Sequence, residues 1–258
     1  MRRIRIVVAY DGTNYCGWQI QPNGITIEEI LNRQISKLTG EDIRIIGASR
    51  TDSGVHALGN VAVFDTESRI PGDRFAYALN QKMPEDIVIV RSDEVQIDWH
   101  PRYQNEISKT YEYHIYNAKV RNPLKNRYST FVSFDLDVEK MRQGAKYILG
   151  EHDFASFCNV RTNAKDTVRT VHEITITEIP MDKFQASNWG QENSNLENEK
   201  EIVMDITWNF NSPNWRLFWN RALAESTEGK RRFGERKKQN YFGKGQRLEE
   251  IVLYKGRQ

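Results

Sequence analysis

Two short apolar runs, Ile43, Ile45 and Ile46 on one side and Val61, Val63 and Phe64 on the other, flank the stretch Gly47-Ala-Ser-Arg-Thr-Asp-Ser-Gly-Val-His-Ala57. Each run reads as a short buried strand, so the stretch between them is the loop of a strand–loop–strand unit. It is made of small residues and holds one arginine, Arg50, and one carboxylate, Asp52, at its centre. Gly47 and Gly54 let backbone approach where a side chain would block it. Reactive groups are often carried on such a loop over a rigid hairpin, which makes Asp52 the candidate reactive residue. The same composition also fits a polar connection in which Arg50 and Asp52 are exposed and idle.

The rest of the chain must supply a sheet for that hairpin. Residues 3–10 alternate, with Ile4, Ile6, Val8 and Tyr10 on one face and Arg3 and Arg5 on the other, which is the period of a half-buried strand. Asp11-Gly-Thr-Asn14 reads as a turn. Thr26-Ile-Glu-Glu29 is a capping box, with Ile25 and Ile30 placed to form a hydrophobic staple. Ile27, Ile30, Leu31, Ile35 and Leu38 then make one apolar stripe, ended by a left-handed Gly40. A second helix is expected over 72–82, with Phe75, Ala76 and Leu79 inward, stopped before Pro84. Ile87 to Val90 reads as a buried strand and Ser108 to Ile115 as an alternating one. The second half repeats the order more loosely. A helix over 137–149 closes at Gly150, and a strand runs from Thr167 to Ile179. A polar loop or hairpin tip covers 182–200, Ile202, Met204 and Ile206 alternate into a further strand, and 248–254 forms the last. Strand, helix and two strands in each half, mostly antiparallel with helices on one face, make an α+β fold. The expected division is 1–105 and 106–258.

At 258 residues, 38% apolar and 28% charged, the chain can bury a sizeable core under a polar surface. Its net charge is only +2, so any RNA site must be a local patch. Cys16 and Cys158 are the only cysteines, without a CxxC pair or a histidine cluster. That argues against a disulfide framework or a zinc site and for a reducing compartment, the cytoplasm. Met1-Arg-Arg-Ile-Arg5 runs straight into a strand with no apolar signal region, and no apolar run reaches membrane-spanning length.

The stretch Gly47 to Ala57 resembles the active-site motif of the tRNA pseudouridine synthase A family, G-x-x-R-T-D-x-G-V-H-A, and meets every fixed position. A match of that length is far more specific than a lone glycine motif. Other elements are similar too. Gly17-Trp-Gln-Ile-Gln21 resembles the family's Gly-aromatic-Gln-x-Gln loop, and Trp99-His-Pro-Arg-Tyr103 its aromatic-x-x-Arg-aromatic loop. Lys109-Thr-Tyr-Glu-Tyr113 resembles its K/R-x-Y-x-Y strand, and Gly150 to Phe157 its G-x-H-D-F-x-S-F element. The resemblance is dense over 1–206 and returns at 248–254. It implies that Asp52 is catalytic and that Tyr111 sits against the target base. Taken alone, Tyr111 is an ordinary strand aromatic, Cys16 and Trp18 are packing under a loop, and Gln19 and Gln21 could face RNA. The resemblance also implies two similar lobes joined across a central RNA-binding cleft, a homodimer, and the tRNA anticodon stem-loop as partner. Pseudouridylation breaks the uridine C1′–N1 bond and joins C1′ to C5 without net redox change, so neither cofactor nor metal is expected. Arg50 is a candidate substrate-binding residue, and it would lower the pKa of Asp52 if the two side chains meet.

From Thr207 to Arg247 the pattern breaks. The segment has no Ile, Val or Met, places Trp208, Trp215 and Trp219 within twelve residues, and crowds ten lysines and arginines into 216–247. Such a segment reads as a basic, aromatic RNA-binding tail. The family has here a buried Gly-x-G-F-L-x-x-M-V-R element, whose arginine pairs with the catalytic aspartate, and then a core helix. Arg216 and Arg221 lie near that arginine's place without matching it. Because the segment replaces the element at about its own length, two compensating frameshifts, in the gene or in its reading, also account for it. Three readings compete: a synthase acting on the tRNA anticodon arm, a catalytically impaired RNA-binding relative, and a hydrolase or phosphotransferase using Asp52 as nucleophile. The third predicts an acidic metal-binding cluster, and the sequence shows none.

Overall fold

The computed structural model describes residues 1–102, 108–155, 167–180, 199–209 and 250–253. They form two compact units, one of Met1–Thr110 with the strand at 250–253, the other beginning at Tyr111.

In the first unit, the early alternation becomes β1, Arg2–Tyr10, with Ile4, Ile6, Val8 and Tyr10 buried. β1 pairs antiparallel with β3, His56–Thr66, on one side and with β4, Ile87–Val95, on the other. β2, Ile46–Gly47, pairs antiparallel with β3, and β10, Glu250–Leu253, joins β3 in parallel. The register sets Ile4 opposite Phe64 and Ile6 opposite Ala62, which makes one face apolar. α1, Ile27–Thr39, and α2, Phe75–Asn80, cover it with Ile27, Leu31, Ile35, Phe75 and Leu79. Phe75 meets Phe64 edge-on at 5.3 Å. On the other face the register puts Arg3 beside Asp65 and Arg5 beside Asp93, in ion pairs of 2.7 and 2.6 Å.

Local signals set most of these boundaries. Thr26 Oγ1 accepts from the Glu29 amide at 3.4 Å, and Gly40 ends α1 in the left-handed region at φ 76°. The expected staple is absent, because Ile25 stays 55% exposed. Its carbonyl accepts from the Cys16 amide at 2.8 Å, so backbone pairing sets the entry angle. The strand expected at Ile43–Ile46 shrinks to β2. Ile43 and Ile45 are buried, yet their amides donate to Ser36 Oγ and Asn32 Oδ1 of α1, each at 2.9 Å. The helix expected over 72–82 divides into a 3-10 turn, Gly72–Arg74, and α2. β4 is an edge strand buried on one face only: Ile87 and Ile89 are inside, while Val88 and Val90 are exposed.

In the second unit the sheet runs in the order β5-β9-β8-β7. These are β5, Ser108–Asn117, which starts in the first unit, β7, Gly150–Asp153, β8, Val168–Pro180, and β9, Lys200–Asn209. β6, Thr130–Val132, lies parallel to β5. The core gathers Tyr113, Ile115, Phe154, Ile176, Ile202, Met204 and Ile206, with Met141 from α3, Val138–Ala145. α3 stops short of the expected 149. From there the Tyr147 and Ile148 amides bond three residues back, to Gly144 and Ala145, and Tyr147 and Leu149 are exposed. Trp208 overturns its own assignment to an RNA-binding tail. It is 2% exposed on β9 and meets Tyr111 and Phe154 edge-on, each at 6.0 Å. Residues 210–249, with Arg216, Arg221, Trp215 and Trp219, lie outside the described residues, as does most of the polar tip at 182–200. Among the described residues no helix is long and apolar enough to cross a membrane.

Candidate active site

The loop between β2 and β3 alternates. Ser49 and Thr51 are buried, whereas Arg50 and Asp52 are exposed. The buried side chains and the backbone carry the anchoring. Thr51 Oγ1 lies 2.8 Å from the Tyr10 hydroxyl at the end of β1, and Asn60 Nδ2 donates to that hydroxyl at 3.3 Å and to the Ser49 carbonyl at 3.2 Å. The Trp18 amide donates to the Thr51 carbonyl at 3.0 Å. Ser53 Oγ and the Gly54 amide both donate to the Tyr15 carbonyl, at 3.1 and 3.3 Å. The Val55 amide closes back on the Asp52 carbonyl at 3.2 Å, with Gly54 at φ 82° in the third position of that turn. A turn of this hand requires φ > 0 there, which is the physical reason for a glycine two residues after Asp52.

The loop after β1 supports the site from below. Gly17 sits at φ 85°, and a β-carbon on it would lie 2.6 Å from the Thr51 carbonyl oxygen. Trp18 is buried and its ring lies 6.0 Å from Tyr10, which is the packing expected of it, while Gln19 and Gln21 are exposed. Tyr15 donates to Asp86 at 2.5 Å, and burial together with that bond pushes its phenol well up. His56 Nδ1 lies 3.2 Å from the Gly12 amide and 3.1 Å from Asp11 Oδ1, and the ring's tautomer decides which contact is a hydrogen bond.

Two cations reach the start of the loop. Arg102 Nε donates to the Gly47 carbonyl at 2.8 Å, and Lys109 Nζ to the Ala48 carbonyl at 3.2 Å and Ser49 Oγ at 3.4 Å. Burial, with Arg102 nearby, lowers the Lys109 amine to about 8. Burial and the charges of Arg102 and Arg3 also lower His100.

The structure therefore brings Arg50 and Asp52 onto one exposed loop without pairing them. Among the described residues, neither side chain enters a hydrogen bond or an ion pair, so the two do not meet. Tyr111 is half-buried on β5 in the second unit, against Trp208. Among the described residues, no group of three or more His, Cys, Asp or Glu could hold a metal ion. Sequence reasoning missed Tyr10, Asn60, Lys109 and Arg102 as supports of the loop. Asn60 carried a signal, being a polar residue of low strand preference inside an apolar strand.

A model of the tRNA pseudouridine synthase family matches residues 6–104 and 145–205. Curated relatives agree. A tRNA pseudouridine synthase A of Acetivibrio thermocellus is 47% identical over 191 residues, 74% of this chain and 78% of that protein. One of Thermoanaerobacter sp. is 46% identical over 176 residues, covering 68% and 72%, and one of Brevibacillus brevis is 44% identical over 179 residues, covering 69% and 73%. The chain belongs to the tRNA pseudouridine synthase family.

Proposed function

We propose that this protein is an isomerase that converts uridine to pseudouridine in the anticodon arm of tRNA, with Asp52 as its nucleophile. The observation that carries the assignment is a carboxylate left exposed on a loop whose backbone is bonded from several sides. A positioned reactive group needs that combination: an immobile main chain and an unengaged side chain. In the reaction the C1′–N1 bond breaks and C1′ bonds to C5. The C5 proton passes to solvent and N1 gains one, so atoms and electrons balance without a cofactor. Asp52 attacks as the carboxylate. Arg50, exposed two residues earlier, binds the RNA backbone as a phosphate-seeking guanidinium. Tyr111 stacks on the base, which must first leave its own stack, a cheaper step in a loop than in a helix. The working form is a cytoplasmic homodimer.

The test is tritium release from tRNA carrying C5-labelled uridine. The wild-type protein should release it, and Asp52→Asn should abolish release while tRNA affinity stays within a few-fold. Substantial activity in Asp52→Asn removes the assignment of Asp52. Tight tRNA binding with no release from the wild-type protein makes the chain an RNA-binding relative instead.

A further inference from the structure

The alternating exposure of the loop explains how Asp52 is presented and leaves open what holds the strand end that leads into it. Residues 47–49 are tied down by three donors from outside the hairpin's turn. Arg102 takes the Gly47 carbonyl, Lys109 the Ala48 carbonyl and the Ser49 hydroxyl, and Asn60 the Ser49 carbonyl. Two of the three are cations, and Lys109 is only 3% exposed. Burying an ammonium is costly, and a leucine or methionine would fill the same space without that cost. A buried charge pointed at carbonyl oxygens forms the stronger, charge-assisted kind of hydrogen bond. Lys109 also comes from the start of β5, and Arg102 from the chain between β4 and β5. The clamp therefore couples the reactive loop to a second part of the sequence.

We propose that Lys109 is a positioning residue for catalysis: its ammonium clamps the Ala48 carbonyl and Ser49 hydroxyl, with Arg102 on Gly47, and so holds the loop in the conformation that presents Asp52. This rests on Asp52 being the reacting carboxylate. Lys109 touches no reacting atom in this scheme and acts through the loop. The charge is what matters, so the clamp weakens as the amine loses its proton. Burial and the neighbouring Arg102 bring that loss down to about pH 8. Misplacement of a reacting group by about 1 Å is enough to cost 10²-fold in rate.

The experiment compares wild type, Lys109→Met and Lys109→Arg in tritium release, tRNA binding, and amide hydrogen exchange of residues 47–55. Lys109→Met is expected to lower kcat about 10²-fold, corrected for folded fraction, with tRNA affinity within about three-fold of wild type. Its loop amides should exchange faster while those of β1 keep their protection. Lys109→Arg should recover at least a tenth of the wild-type kcat. The wild-type kcat should fall as pH rises through about 8, and the arginine variant should not show that fall. Wild-type kcat in Lys109→Met overturns the proposal, as does unchanged loop exchange. If Lys109→Met does not fold, the pH profiles of wild type and Lys109→Arg decide, and identical profiles overturn it. If the wild-type protein releases no tritium, the functional assignment has failed, and loop exchange alone decides whether Lys109 is the clamp.

Discussion

At the scale of single residues, the site depends on contrasts between neighbours. Thr51 turns inward to the Tyr10 hydroxyl, and Asp52, the next residue, turns outward. That contrast exists only because the backbone beneath it is crowded, and Gly17 shows how crowded. A β-carbon there would meet the Thr51 carbonyl oxygen at 2.6 Å and the Asp52 carbonyl carbon at 3.0 Å, both backbone atoms that cannot step aside alone. The position also holds φ 85°, which L side chains rarely adopt. Gly17→Ala is therefore expected to destabilise the first unit by about 1–3 kcal/mol and to lower kcat by moving Asp52. Urea unfolding and single-turnover tritium release measure the two effects. A wild-type midpoint would show that the loop yields freely.

At the scale of elements, β5 and β9 are joined by more than their ladder. His114 on β5 lies 2.5 Å from Glu112 through Nε2 and 2.8 Å from Glu201 of β9 through Nδ1. Lys125 closes the group on Glu201 at 2.9 Å. Only the imidazolium can donate from both nitrogens at once. The hydrogen bond to Glu112 leads in raising the His114 pKa, against burial and with help from Glu201. Burial opposes ionisation of Glu201, but the bonds from Lys125 and His114 outweigh it and lower its pKa. The signs follow by linkage. A raised histidine contributes stability in full below its unfolded pKa of about 6.5, and loses it as pH rises through the folded value. A lowered glutamate contributes above its unfolded pKa of about 4.3, and loses it as pH falls. The clasp is thus strongest between about pH 4.5 and 6.5. Chemical denaturation of the wild type should show the second unit losing stability as pH rises above about 6.5, and His114→Gln should flatten that slope. A slope unchanged by the substitution would place the titration elsewhere.

At the scale of the whole molecule, the segment from Thr207 to Arg247 departs from the rest of the chain in composition. The family match ends at residue 205, and β9 runs on through a register shift to pair Trp208 with Val171, with its indole in the core. The departure from the family pattern at Thr207 therefore begins within β9, just past the end of the family match. Losing a family core helix would remove several buried side chains, each worth about 1.5–3 kcal/mol, against the roughly 5–15 kcal/mol that stabilises a whole domain. The coding DNA supplies the test. Under the frameshift account, another reading frame across residues 207–247 encodes a Phe-Leu-x-x-Met-Val-Arg-like stretch. If neither frame does, the segment is a true divergence of this chain and its basic, aromatic character stands as an RNA-binding feature.

The sequence by itself determined the features that depend on period and local chemistry. The two-residue alternation of β1 and β9 and the capped stripe of α1 follow from which side of a strand or helix meets water, and neighbouring residues settle that. The eleven residues around Asp52 were legible for a different reason, as a motif long enough to be specific. Tertiary structure alone decided what had no local signature. Ile43 and Ile45 looked like strand, and α1 side chains 7 and 13 residues earlier captured their amides. Arg50 and Asp52 are close in sequence, and an exposed loop gives two charged side chains no reason to stay together. Lys109 reads as an ordinary polar residue of an alternating strand. Its burial against the Ala48 carbonyl joins residues sixty-one positions apart, and only the folded chain brings a donor and an acceptor together over that distance.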